Sequence, residues 1–318
     1  MTLVALKRWL PHLVALVLVG FGAWYVISHR EDFAILGRLD VRDLLWVALA
    51  FMACCIVGGF QFNLFLRRYE VQLPWYRWLG LYLLMSVGNI VSPLRGGTGI
   101  CAAYLKSEHG FDFKRFGMLL LGSHILSALV NASVAIVCLT AVLIMEHWVS
   151  VPLYVASGAV LLVCLATFFI PRLPPSTRWG WTYVVRAVNG WKALFHDRSL
   201  LWKVLLMAFL QTLTQTAMHL LVYRSLGVTV PPVAMLTVVS LSIIAAMISL
   251  TPGSLGPYDA ALVALPTVYG LTLQQTASAL IVFRGTAFVT AFVLAGLFWI
   301  AIGRGRRPAA EDADAPPA

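Results

Sequence analysis

A 37-residue stretch from Val233 to Tyr269 is mostly apolar, yet it is interrupted at Ser249-Leu250-Thr251-Pro252-Gly253-Ser254-Leu255-Gly256-Pro257. Two prolines that bracket two glycines prevent a continuous helix from running through it. A backbone broken at membrane depth leaves N–H and C=O groups without partners, which is tolerated only inside protein or beside a polar cavity. Asp259, just past the break, is the only carboxylate between Asp197 and the C-terminal tail. The first half of the chain holds a counterpart, Gly88-Asn89-Ile90-Val91-Ser92-Pro93-Leu94-Arg95-Gly96-Gly97-Thr98-Gly99. Two broken helices of opposite charge predict one buried polar site.

The rest of the chain supplies the membrane context. Hydrophobic residues make up 60% of it and charged residues 11%, the balance of a polytopic helical membrane protein. No loop has room for a soluble catalytic domain, the longest running from about Pro171 to Trp202. A net charge of +10 has an ordinary membrane explanation, because basic residues gather in cytoplasmic loops. Nucleic-acid binding would need a basic patch on a folded soluble face, and the sequence offers none. The five cysteines lie in or beside apolar segments with neither CxxC spacing nor clustered histidines, so they read as packing residues rather than metal ligands. Lys7 and Arg8 precede an apolar run from Leu10 to Ile27, longer than a signal-peptide core, which reads as a retained first span.

Uninterrupted apolar runs predict full spans at about 10–28, 44–66, 116–145, 150–170, 203–223 and 276–303. The regions 79–105 and 233–270 carry the broken motifs. If both are hairpins, entering from opposite sides, 17 of the 23 basic residues fall on the cytoplasmic side and four outside. Arg95 and Arg284 then remain within the membrane. A single crossing by 79–105 would move Lys106, Lys114 and Arg115 outside, against the positive-inside rule. The expected architecture is therefore all-α: six full spans plus two oppositely oriented re-entrant hairpins, in the cytoplasmic membrane with both termini cytoplasmic. Opposed broken elements in two halves follow the logic of inverted-repeat transporters, whose sites lie near the midplane.

The integral membrane unit is expected to cover 1–303. Within it, about 176–196 places Trp181, Val184, Val185, Val188, Trp191 and Phe195 on one helical face, as in a helix lying in the cytoplasmic interface. Residues 304–318 lack apolar content and read as a disordered cytoplasmic tail.

Arg95 follows roughly fourteen residues of apolar helix, about 21 Å at 1.5 Å per residue, which reaches well into the hydrocarbon. The glycines after it allow a new helix to begin near Gly99, whose N–H groups and dipole would lie beside the guanidinium as an anion pocket. Arg284, inside the last span, is too deep to snorkel easily, and Asp259 is its natural partner. Asp259 also complements the dipole of the helix that follows Pro257. Asn89, Ser92, Gly97, Thr98, Thr251, Gly253 and Ser254 complete the candidate substrate-binding set with neutral hydrogen-bonding groups and close backbone. His124, with Ser123, Ser127 and Asn131, forms a polar stripe on the third full span. Gln211, Thr212, Thr214, Gln215, Thr216 and His219 form a second polar stretch on the fifth, for either helix adhesion or cavity lining.

The two motifs resemble those of the flippase-like membrane family that includes the transmembrane region of lysylphosphatidylglycerol synthases. Gly88, Asn89, Pro93, Arg95, Gly97, Ala102 and Leu105 fit its first motif. Thr251, Pro252, Gly253, Leu255, Gly256 and Arg284 fit its second, with Ser254 for glycine and Asp259 for glutamate. The family often carries Glu and Arg after the first motif, where this chain has Thr98 and Cys101. Its middle helix often reads Glu-Arg-x-x-Asp, where Ser123, His124 and Ser127 stand here. The resemblance implies a protein that moves or accommodates polar-headed lipids, without the aminoacyl-transfer domain.

The sequence thus points to a non-enzymatic, cofactor-free and metal-free lipid flippase that takes an anionic headgroup or a lipid-linked phosphate. No nucleophile–base pair, metal set or ATP-binding loop stands out in it. The alternative is a non-catalytic membrane subunit that anchors or regulates a lipid- or polysaccharide-modifying enzyme.

Overall fold

The computed structural model describes residues 37, 39–91, 96–147, 150–169, 171, 174, 185, 189, 197–247 and 256–304. The expected span at 10–28, the interfacial helix and the tail beyond 304 lie outside these residues, apart from the isolated Val185 and Asn189.

Five long apolar helices match five of the expected spans: α1 (Val41–Arg68), α4 (Phe113–Glu146), α5 (Val151–Phe169), α6 (Arg198–Ser225) and α9 (Leu273–Arg304). The broken regions appear as shorter pieces, α2 (Trp75–Val91) and α3 (Gly96–His109), then α7 (Pro232–Ala246) and α8 (Pro257–Ala264) with a 3-10 turn over Leu265–Tyr269. All described elements are helical, as the length and spacing of the apolar runs require.

Local chemistry sets the helix ends. Asp40 accepts a hydrogen bond from the Arg42 N–H at 2.9 Å, and Asp197 accepts one from the Leu200 N–H at 3.0 Å, capping α1 and α6. Pro232 and Pro257 stand at the first turns of α7 and α8, where a missing N–H costs nothing. At the end of α3, Gly110 takes φ +63° and the Phe111 N–H bonds back to the Leu105 carbonyl at 3.1 Å.

α1 and α6 pack antiparallel along their length. Val47 shares a buried cluster with Val222 and Tyr223 near one end. Phe65 and Leu66 share the other cluster with Leu200 and Val204, and Arg68 reaches Asp197 at 3.8 Å. α2 packs on α1, α3 and α9, while α4 packs on α5, α6 and α7. The ends of the broken pieces fold back. Phe111, just past α3, lies ring to ring with Tyr69, just past α1, at 5.4 Å. Trp75, which opens α2, meets Phe298 near the end of α9 at 6.2 Å. The start of α2 and the end of α3 thus share one end of the bundle. At the opposite end, Val228 and Val230 before α7 pack in one cluster with Tyr269 and Leu271 after the 3-10 turn.

The outward faces are apolar. Leu162, Val163 and Phe169 on α5, and Val137 and Ile144 on α4, are more than three-fifths exposed, which suits acyl chains rather than water. Exposed tryptophans stand near both bundle ends, Trp46 at one and Trp75 and Trp202 at the other, where an aromatic belt meets headgroups. All five cysteines are free and buried, as packing residues are.

Candidate functional site

The first break is held together by backbone contact and one side chain. Gly97 sits so tightly on α2 that a Cβ there would run into the Met85 carbonyl oxygen and approach the Asn89 nitrogen to 2.5 Å. With glycine at this position, the start of α3 can touch the backbone of α2. The Asn89 side-chain oxygen then accepts from the Thr98 backbone N–H at 2.9 Å and from the Thr98 hydroxyl at 3.0 Å. One of the orphan N–H groups of the α3 first turn is thereby capped from a neighbouring helix, nine residues back in sequence. α3 begins at Gly96, three residues before the start expected near Gly99. The cap from Asn89 and the close backbone packing give the glycines the partners that a helical start needs.

Beside this junction lies a cavity of about 390 Å³, within the usual range for small-molecule pockets. Asn89 and Thr98 line it, together with Gln61 of α1, Tyr82 and Met85 of α2, and Gln215 of α6. Ser123, His124 and Ser127 of α4 enter from another side, and Ile243, Ala246 and Met247 from the end of α7. Both broken regions therefore border one cavity. The α2–α3 junction forms part of its wall, and α7 reaches it just before the second motif.

The lining groups have defined hydrogen-bonding roles. His124 Nδ1 lies 2.6 Å from the Leu120 carbonyl oxygen; that oxygen can only accept, so Nδ1 carries the proton. Ser123 donates to the same carbonyl at 2.8 Å, so its hydroxyl has committed its proton and keeps lone pairs that can accept. Asn131 donates to the Ser127 hydroxyl oxygen at 3.3 Å and accepts from Thr212 at 3.0 Å, so it joins α4 to α6 rather than lining the cavity. The Gln215 side-chain oxygen is buried with no hydrogen-bond partner among the described residues.

A second polar cluster lies around the α8–α9 contact. Arg284 donates to one oxygen of Asp259 from Nε at 3.0 Å and from Nη2 at 2.6 Å. Both side chains are largely buried, at 19% and 13% exposure. The guanidinium carbon lies 5.8 Å from the ring centres of Tyr258 and Phe283. His219 of α6 packs on Phe283 at 4.7 Å between ring centres and meets the Tyr258 hydroxyl at 3.5 Å. Asp259 stands in the first turn of α8, as expected, and takes a further hydrogen bond from the Gly256 backbone.

The described candidates thus fall into two groups instead of one site. Asn89, Gly97 and Thr98 belong to the cavity wall and its junction. Asp259 and Arg284 are not among the described lining residues, because each is the other's partner and aromatic rings flank the pair. Ser92, Arg95, Thr251, Gly253 and Ser254 lie outside the described residues. Gln61 and Tyr82 were not legible as site residues, since a single polar side chain in an apolar helix looks like any packing contact. Four positions where the resemblance leads to charged residues, Thr98, Ser123, His124 and Ser127, line the cavity here, whereas Cys101 is buried in the helix core. Among the described residues, no group of three or more His, Cys, Asp or Glu is placed to hold a metal ion.

No curated protein sequence matches the chain at a significant level. A family model does, over residues 9–295, which include the α2–α3 junction, the α4 stripe and the Asp259–Arg284 pair. The chain belongs to the family described as the lysylphosphatidylglycerol synthase TM region.

Proposed function

We propose that this chain binds and translocates a polar-headed anionic lipid or lipid-linked phosphate across the cytoplasmic membrane, without covalent chemistry. Membership in a family named for a lipid synthase's membrane region supports a lipid-handling role. The observation that carries the reading is the polar-lined cavity where both broken regions meet. Broken helices at membrane depth need such a cavity, and transporters place their sites there.

In this reading α2–α3 and α7–α8 are oppositely oriented re-entrant hairpins. The return of Phe111 to Tyr69 supports the first, and the clustering of Tyr269 and Leu271 with Val228 and Val230 supports the second. The end of the bundle that carries Arg67, Arg68, Arg77, Lys106, Lys114 and Lys203 faces the cytoplasm. The headgroup occupies the cavity while the acyl chains stay in the bilayer, because about 390 Å³ holds a headgroup but not a whole phospholipid. Arg95, one residue before α3, supplies the anion contact together with the N-terminal dipole of that helix. The Asp259–Arg284 pair fixes the second hairpin to α9.

Reconstitution into liposomes with an acyl-labelled phosphatidylglycerol, read by quenching from outside, tests this. Wild type is expected to expose the inner-leaflet probe, and Arg95→Ala and Asn89→Ala to slow the exposure. Exposure no faster than in protein-free vesicles would refute translocation.

A further inference from the structure

Resting on that reading, and narrowing its substrate class, we propose that the part of the headgroup taken into the cavity is an uncharged polyol, such as glycerol or a sugar ring, and not an amine.

The lining carries the argument. Its polar side chains among the described residues are amides, hydroxyls and one imidazole, with no carboxylate, lysine or arginine among them. An ammonium group entering this space would leave water without meeting a counter-charge among the described residues, a cost that neutral acceptors only partly offset. The start of α3 adds to the exclusion. Thr98 lies in the first turn of that fourteen-residue helix and also lines the cavity, so the positive end of the helix dipole faces an entering cation.

Hydroxyls suit the same wall. The Ser123 hydroxyl and the Thr98 hydroxyl have both committed their protons, to Leu120 and to Asn89, and present lone pairs. Gln215 lines the same wall with an amide, a group that both donates and accepts. Ser127, whose oxygen already accepts from Asn131, retains a proton to give. A wall whose amides, hydroxyls and imidazole both donate and accept, spread over α1, α2, α3, α4 and α6, matches groups that each donate and accept, as sugar and glycerol hydroxyls do. A bare phosphate, which only accepts when fully ionised, would leave the Ser123 and Thr98 lone pairs without donors. The phosphate of the lipid belongs instead at the α3 N-terminus.

Native mass spectrometry of the full chain in mild detergent tests this, with an equimolar mixture of phosphatidylglycerol, phosphatidylinositol, phosphatidylethanolamine and phosphatidic acid of identical acyl chains. The two polyol lipids are expected to be retained at least about tenfold over the other two, a difference of roughly 1.4 kcal/mol. Ser123→Ala/Ser127→Ala is expected to remove the preference while leaving the melting temperature unchanged. Gln215→Glu, which supplies the missing counter-charge in nearly the same shape, is expected to shift retention toward phosphatidylethanolamine. Equal retention of all four lipids by the wild type, or preference for the amine, overturns the proposal. Displacement of the retained lipid by free inositol upholds the polyol assignment and moves its source from the membrane to a soluble compound. Selective retention without translocation in liposomes removes the transport reading and leaves the polyol assignment standing. Translocation of all four lipids at one rate does the reverse.

Discussion

Gly97 and Gly99 lie two residues apart in the first turns of α3, and substitution by alanine should move stability in opposite directions. An alanine Cβ at Gly99 meets nothing within 4 Å, so Gly99→Ala gains only the better helix propensity, at most about 1 kcal/mol. At Gly97 the same Cβ would stand 2.5 Å from the Asn89 nitrogen and 2.7 Å from the Gly88 carbonyl carbon. These are backbone atoms, so no rotamer change relieves the contact. Reaching an ordinary separation of about 3.4 Å requires α3 to retreat by more than about 0.9 Å, because the Met85 carbonyl oxygen is nearer still. Overpacking of this kind costs about 1–3 kcal/mol. The same retreat stretches the 2.9 Å Thr98–Asn89 bond beyond useful length and loses a cap worth about 1 kcal/mol. After the propensity gain, Gly97→Ala should destabilise by about 1–3 kcal/mol, or several degrees of melting temperature. Thermal unfolding in detergent, followed by tryptophan fluorescence, reads both variants side by side. If Gly97→Ala melts at or above the temperature of Gly99→Ala, the junction is not packed as described.

Three further predictions use other parts of the molecule. Arg284→Met alone strands the buried Asp259 carboxylate and should cost about 3–5 kcal/mol, whereas Arg284→Met/Asp259→Leu should recover most of it; additive single and double effects would show that the pair is not coupled. Cysteines placed at Gln72 and Glu108 should both label from one face of the membrane, and those at Thr229 and Gln274 from the other. The five native cysteines are buried and give little background, and opposite labelling of Gln72→Cys and Glu108→Cys would exclude a re-entrant α2–α3. Tyr69, just outside α1, has its phenol pKa raised, chiefly by burial and partly offset by Arg68 and Arg115. A raised folded-state pKa gives stability that is full below the ordinary phenol value and lost as pH climbs above it. Tyr69→Phe should therefore flatten the alkaline limb of the stability profile, as melting temperature against pH would show.

The break points were legible because proline and glycine act locally. Pro257 had to open a helix, and α8 opens there with Asp259 in its first turn. The Asp259–Arg284 pairing was also accessible, since two buried opposite charges within apolar sequence need each other. The start of α3 was misplaced because its cap comes from Asn89 on another helix, and spacing rules describe only caps close in sequence. The cavity was harder still. Its wall draws on α1, α2, α3, α4, α6 and α7, and which polar residue faces it depends on how those helices are rotated. In α4, Ser127 and Asn131 share one stripe, yet one lines the cavity and the other bonds to Thr212. In α6, Gln215 and His219 separate in the same way, because His219 turns toward Tyr258 and Phe283.

Asp259 and Arg284, held oxygen to nitrogen at 2.6 Å, also bear on the electrical behaviour of the bundle. A charge displaced across a membrane experiences about 2.3 kcal/mol per 100 mV, but a joined cation and anion moving as one body experience almost none. So long as the pair stays closed, a rocking of α8 with α9 shifts no net charge through the field. In the proposed translocation, a resting potential would then act on the charge of the cargo and of Arg95, and the rate for a given lipid would shift with voltage according to that lipid's own valence.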